Sequence, residues 1–279
     1  MKLSVIIPVG NKDAWTSAEQ SIRTSIAACK ETVEWELLPC FDLEHRGVFT
    51  ARNEGLRRAT GDYVAWVDCD DVVKENWADR IASAVSERSH DGRPIDVLVF
   101  DAVELKDGRE RLLRFNYPSW MDGDSYGKKM LYGVDAPHWL WNRVFRRELL
   151  SGVNLTVPVD EDYQFDLLVL PRVKTVRYLD EVLYTYVKHG HGLSSYVRTM
   201  DYGAAGREFL DIIEGLPSDW REGSRMGLGL LMPDVVLHDR RAKGAGQWVR
   251  KYALQALFRR DVGLRFKIKI LLAALMFWR

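Results

Sequence analysis

"GDYVAWVDCDD", residues 61 to 71, is the stretch on which the fold turns. An apolar run from Tyr63 to Val67 stops at Asp68, Asp70 and Asp71, three carboxylates within four positions. A short apolar run bounded by turn signals reads as a buried strand, and Gly61 reads as the stop of a helix before it. The aspartates then lie just past the carboxyl end of that strand.

The flanking sequence repeats the pattern. Upstream, "LSVIIPV" is a continuous β-branched run of the kind seen in a parallel strand covered on both faces. Trp15, Ala18, Ile22, Ile26 and Cys29 follow at helical spacing, so the chain opens strand, turn, helix. A second strand is predicted at "WELLPCF", and a helix in "GVFTARNEGLRRAT" with Val48, Ala51 and Ala59 on one face. Downstream come a helix over residues 75 to 88 and the strand "IDVLVFDAVEL". Strands alternating with helices predict an α/β protein with an open, mostly parallel central sheet and helices on both faces. In such a sheet, ligands sit beyond the carboxyl ends of the strands.

Asp68 and Asp70, two residues apart, point to one side if strand geometry persists, and two close carboxylates repel unless a cation lies between them. Two readings follow. One is a seat for a hard divalent ion, Mg²⁺ or Mn²⁺, whose shell phosphate oxygens complete. The other is an exposed acidic turn capping a helix that starts near Lys74. An EF-hand is excluded, because Val72 and Val73 stand where a ligand and the sharp-turn glycine belong.

Composition fits an ordinary globular chain: 279 residues, 47% hydrophobic and 29% charged, enough for one large domain or two smaller ones. Cys29, Cys40 and Cys69 fit neither a zinc site nor a disulfide framework, which points to a reducing compartment. The apolar stretch at the start is too short for a signal-peptide core and is cut by Pro8, so a cytoplasmic location is expected. Net charge is zero but unevenly spread. Residues 240 to 269 hold ten Lys/Arg and one acid, Asp261, against 30 basic and 39 acidic groups elsewhere.

Five segments, "LSVIIPVGN", "GVFTARNEGLRRATGDYVAWVDCDD", "WNRVFRRELL", "DEDYQFDLLV" and "LYTYVKHGHGLSS", occur in the order and near the spacing of family 2 glycosyltransferases, so roughly residues 3 to 195 resemble that family. The resemblance implies the GT-A (Rossmann-like) fold and an inverting, metal-dependent, hexosyltransferase-type reaction. A sugar would pass from a nucleotide-diphosphate donor, a UDP-sugar first among them, to an acceptor hydroxyl in capsule, lipopolysaccharide or other cell-surface polysaccharide. It also implies that Asp68 and Asp70 are the DxD motif that holds Mn²⁺ or Mg²⁺ on the donor diphosphate, with His191 a further ligand. The catalytic base then falls on Asp162, with Glu161 beside it. Pro8, Val9, Asn11, Asp42, Arg52 and Asp68 fall where the nucleotide is held.

Residue chemistry agrees with these roles. Displacement at an anomeric carbon releases a diphosphate whose charge a metal neutralises, and a separate carboxylate must take the proton of the incoming hydroxyl. Structural readings stand beside each role. "DEDYQFD" is also a solvated acidic helix start. Arg52 is also a buried tie between helix and sheet, His189 and His191 belong to a Gly-containing loop, and Trp141 is either a pocket wall or core. The chain departs from the family at Gly10, where relatives carry an aromatic, and in a shortened stretch after the second strand that leaves Asp42 the only candidate to read the base.

Three regions are expected: residues 1–105 for the nucleotide sugar, 106–200 for the acceptor and base, and a helical 201–279 with a basic amphipathic tail. "ILLAALMFW" is nine apolar residues, too few for a span of about twenty. A basic amphipathic helix from Trp248 to Trp278 suits the anionic inner face of a cell membrane or a partner protein, and no recognisable nucleic-acid module is present. Two other functions are weighed: a sugar nucleotidyltransferase, which lacks here a Gly-rich, Lys-containing phosphate loop, and a non-catalytic glycosyltransferase-like binding partner.

Overall fold

The computed structural model describes residues 1–10, 15–42, 44, 46–132, 137–188, 201–231, 233, 245–260 and 262–276. The chain forms two compact units that it visits alternately: Met1–Tyr126, Trp139–Thr156 and Arg172–Gly190 make the first, and Gly127–His138, Val157–Pro171 and His191–Arg279 the second.

The first unit is built on a sheet of nine strands among the described residues. These are β1 (Lys2–Val9), β2 (Glu34–Phe41), β3 (Tyr63–Trp66), β4 (Val72–Val73), β5 (Val97–Lys106), β6 (Arg109–Leu113), β7 (Trp120–Asp122), β8 (Arg143–Arg146) and β9 (Thr175–Val187). Their order is β2-β1-β3-β8-β5-β9-β4, with β6 on β5 and β7 on β9. Pairs β1–β2, β1–β3 and β5–β9 are parallel, whereas β8 runs antiparallel to both β3 and β5. The α/β reading therefore stands, but "mostly parallel" holds only for the β2-β1-β3 side and the β5–β9 pair. The sheet is mixed, because a short strand contributed by the chain after residue 139 is inserted in its middle.

Helices α1 (Thr16–Ala28), α2 (Val48–Arg58) and α3 (Trp77–Ser86) follow the predicted alternation. Leu3, Val5, Ile7 and Val9 share one buried cluster with Ala18 and Ile22 of α1 and Trp77, Ala78 and Ile81 of α3. Ile6, on the opposite face of β1, meets Gly55 of α2 so closely that a Cβ there would lie 2.3 Å from Ile6 Cγ2. Both faces of β1 are thus covered, which is why its sequence is an unbroken apolar run. The amide of Ala78 donates to the buried hydroxyl of Ser25 at 2.8 Å, tying α3 to α1.

Gly61 is present for a different reason than helix termination. Helix α2 ends at Arg58 on the extended residue Ala59, and Gly61 lies against β1, where a Cβ would sit 2.6 Å from the Ser4 nitrogen. Beside it, the Glu36 carboxylate accepts from Ser4 Oγ (2.5 Å), the Thr60 amide (2.6 Å) and the Lys2 ammonium (3.0 Å). Burial works to raise the Glu36 pKa, but the bonds from Ser4, Thr60 and Lys2 outweigh it and hold the group down at about 2. A depressed carboxylate stabilises the fold above its unfolded value and loses that contribution as pH falls toward 2. Glu36→Gln is expected to cost about 2 kcal/mol at neutral pH. In urea unfolding followed against pH, the variant should also lose stability less steeply between about pH 5 and 2 than the wild type does.

The second unit is helical. It contains α4 (Gly123–Tyr132) from Gly127 onward, α5 (Glu161–Val169), α6 (Tyr202–Gly215), α7 (Ser218–Leu231), α8 (Ala245–Tyr252) and α9 (Leu264–Met276). Asp201 caps α6, accepting from the amides of Gly203 (2.9 Å) and Ala204 (3.0 Å). Trp248 of α8 is buried and donates from Nε1 to the carbonyl of Tyr202 at 3.0 Å. The expected single tail helix is instead two, α8 and α9, with a 3₁₀ stretch, Ala253–Phe258, following the first. No helix among the described residues is long and apolar enough to cross a membrane.

Candidate active site

Strands β1, β2 and β3 end at one edge of the sheet. In register, Ile6 lies opposite Trp66 and Val9 opposite Phe41, so Gly10, Asp42 and Asp68 fall together just beyond. Asp42 donates its amide to the Val9 carbonyl at 3.0 Å, and Cys69 hydrogen-bonds to the Gly10 backbone.

The aspartates form a tight turn, closed by the Asp71 amide donating to the Asp68 carbonyl at 3.1 Å. Their three side chains differ sharply in environment. Asp70 is exposed, and Asp68 is half-buried with Oδ1 3.6 Å from Nη2 of the buried Arg52. Asp71 is fully buried, accepting from the Tyr184 hydroxyl at 2.7 Å and the Val187 amide at 2.7 Å. Burial pushes its carboxyl up to about 8, the charge of Asp68 adding to the push against those two bonds. Asp71 is therefore no helix cap. Helix α3 begins later, at Trp77, behind Asn76. Asp71 fastens the turn to β9, while Asp68 stays half-buried against Arg52 and Asp70 is exposed.

Tyr184 extends that fastening. Its oxygen also accepts the Asp68 amide at 3.1 Å, and its ring stacks on Trp141 with centroids 4.6 Å apart and planes at 11°. Trp141 is buried, so it is core beneath the turn.

The remaining candidates fall as follows. Pro8 and Val9 are buried in β1, so their side chains serve the core. Asp42 spends its carboxylate on the loop that follows, accepting from the amides of Arg46 (2.9 Å) and Gly47 (2.7 Å), and so shapes the shortened entry to α2. Arg52 is buried, ties α2 to the sheet and places a guanidinium nitrogen 3.6 Å from Asp68. Asn11, His189 and His191 lie outside the described residues. Among the described residues, no three His, Cys, Asp or Glu side chains gather as a metal cage. The partly accessible carboxylates of Asp68 and Asp70 nevertheless fit the chemistry of Mg²⁺ or Mn²⁺, which commonly takes one or two protein carboxylates and fills its shell with phosphate oxygens and water.

In the second unit, Glu161 and Asp162 form the first turn of α5, both half-buried. Asp160, just before them, adopts a left-handed conformation (φ 47°, ψ 39°) unusual for a residue with a side chain. Burial raises its carboxyl to about 6, against the opposing pull of His138, and its Oδ2 is buried without a hydrogen-bond partner among the described residues. His138 in turn holds the buried Asp166 through Nδ1 at 2.8 Å. Sequence reading missed Asp160, His138 and Asp166. The "DED" run alone contained a hint of the first.

Comparisons with known proteins bear on the family and the fold. Residues 27–153 match the family model of glycosyl transferase family 2. A cholesterol galactosyltransferase of Borreliella burgdorferi is 26% identical over 179 residues, covering 60% of this chain and 49% of that protein. The uncharacterized glycosyltransferase EpsJ of Bacillus subtilis is 26% identical over 160 residues, 53% of this chain and 44% of that one. The chain thus spans about half the length of the curated relatives it matches. Among solved structures, S. aureus TarS residues 1–349 in complex with UDP-GlcNAc superposes with a TM-score of 0.60 at 18% identity, over 98% of this chain and 79% of that one. The UDP complex of the same protein gives 0.60 at 16% identity, over 98% and 87%. These likenesses show the shared fold.

Proposed function

We propose that this chain is a family 2 glycosyltransferase of the GT-A fold and that it moves a sugar from a nucleotide-diphosphate donor to an acceptor hydroxyl with inversion. The observation that carries this reading is the division of labour among the three aspartates. One is buried to fasten the turn, and a half-buried and an exposed one remain beside Arg52 at the carboxyl ends of β1 and β3, where ligands lie in such sheets.

In this reading residues 1–105 hold the nucleotide sugar, and 106–200 supply the base. A bound Mn²⁺ or Mg²⁺ would neutralise charge on the departing diphosphate, held by Asp68 and Asp70 with His191 a third candidate. Arg52, 3.6 Å from Asp68, keeps that carboxylate oriented and adds positive charge beside the phosphates. The loop shaped by Asp42 borders the base, and with Pro8, Val9 and Asn11 forms the nucleotide edge. Asp162 takes the proton of the attacking hydroxyl, with Glu161 beside it. The UDP complexes of TarS favour a UDP-sugar as donor, and the polysaccharide setting follows from the family resemblance. Calorimetric titration of UDP and of UDP-sugars, with Mn²⁺ and again with chelator, tests the donor site. Metal-dependent binding is expected, and no binding of any nucleotide would overturn the reading.

The acceptor side is proposed to meet an anionic membrane surface from the cytoplasmic side. Leu264, Ile268, Leu271, Leu272 and Leu275 are 45 to 74% exposed along one side of α9, while Ile270, Ala273 and Ala274 are buried on the other. Arg265, Lys267 and Lys269 supply complementary charge on the same helix. Leu271→Glu with Leu275→Glu should abolish sedimentation with phosphatidylserine vesicles and spare nucleotide binding. Undiminished sedimentation would remove the helix from that role.

A further inference from the structure

Trp139 and Tyr186 are the two half-buried rings of an aromatic stack that abuts the aspartate turn, and the reading above gives them no task. The stack starts at the Asp71 carboxylate, which the Tyr184 hydroxyl grips. Trp141 lies on Tyr184, and Trp139 lies on Trp141 with centroids 4.9 Å apart and planes at 18°. Tyr186 is nearly parallel to Trp141, at 5.7 Å and 13°, and 6.2 Å from Trp139. Strand alternation puts Tyr184 and Tyr186 on one side of β9, while Trp139 and Trp141 flank the fully buried Leu140 at a turn closed by the Arg143 amide donating to the Leu140 carbonyl at 3.1 Å.

The stack is also rigid. The guanidinium of the buried Arg143 donates from Nε to the Trp139 carbonyl at 2.8 Å, fixing the backbone under the ring. The Tyr186 phenol is pushed above its ordinary pKa by burial first, and then by the charges of Asp71, Asp68 and Asp70, so it lies in the field of the turn. Two large, partly solvated rings, held by their neighbours beside a polar site with planes 31° apart, offer a broad apolar surface at little entropic cost on binding. The matching ligand chemistry is the apolar C–H face of a pyranose ring whose hydroxyls stay in water.

We propose that Trp139 and Tyr186 form a stacking platform for a sugar ring next to Asp68 and Asp70, within the first unit. The platform rests on the reading of the aspartate turn as the diphosphate site. It takes either the donor sugar, carried in by the diphosphate, or the terminal sugar of an acceptor glycan.

Calorimetry with Mn²⁺ separates these cases, using UDP, UDP-glucose, UDP-galactose and UDP-N-acetylglucosamine, and then oligosaccharide fragments of the producing cell's surface glycan added to the UDP complex. Trp139→Ala is compared with Trp139→Phe, which keeps a flat ring, and circular dichroism confirms that both fold. For a donor platform, Trp139→Ala binds the preferred UDP-sugar about tenfold more weakly, binds UDP as the wild type does, and Trp139→Phe recovers most of the loss. For an acceptor platform, the same pattern is seen with the oligosaccharide while UDP-sugars are unaffected. Unchanged affinity of folded Trp139→Ala for every sugar ligand overturns the platform alone. Failure of wild-type protein to bind UDP overturns both it and the donor reading.

Discussion

Asp162→Asn is expected to bind the donor normally and to transfer sugar at least about a hundredfold more slowly, the cost of losing a general base. The side chain sits half-buried in the first turn of α5, where the helix amides favour a carboxylate, and asparagine keeps its shape and hydrogen-bonding capacity while removing the basic oxygen. Single-turnover rates beside calorimetric donor affinity separate the two effects. Near-normal transfer would take the base away from Asp162. Asp160 would then be the next carboxylate to replace, since burial raises it to about 6 and a base works best with a pKa near the operating pH.

Asp70→Asn should weaken metal-dependent donor binding about a hundredfold or more and leave the fold intact. Asp70 is the better choice than its neighbours for a physical reason. It is exposed, so its loss unburies nothing, whereas Asp68→Asn would strip the buried Arg52 of a nearby carboxylate and Asp71→Asn would loosen the anchor to β9. If Asp70→Asn and wild type bind UDP equally, with and without chelator, the turn does not hold the metal.

Local sequence carried the parts of the fold that local sequence dictates. Strands β1, β2, β3 and β5 and helices α1 to α3 are legible because each apolar run or helical face is continuous, and the pair Asp68 and Asp70 is legible as charge at a strand end, whereas the two-residue β4 is a strand only through its pairing with β9. What escaped depends on residues far apart in the chain. Strand β8 is four residues, "RVFR", without a readable period, and is a strand only because β3 and β5 lie on either side of it. Asp71 looks like its neighbours until Tyr184 and Val187, more than a hundred positions later, enclose it. The aromatic stack joins Trp139 and Trp141 to Tyr184 and Tyr186 in the same way. Contiguous cuts at residues 105 and 200 differ in kind from two units that the chain enters more than once. Gly61 shows a finer failure, since close approach to Ser4 and a helix stop leave the same letter in the sequence.

The most direct test of glycosyl transfer is product identification after incubating the protein with a panel of nucleotide sugars and Mn²⁺, with and without surface-glycan acceptors. Release of free nucleoside diphosphate from one donor is the predicted result. Pyrophosphate would mark a sugar nucleotidyltransferase, no product from any donor would mark a binding protein, and either would contradict the account.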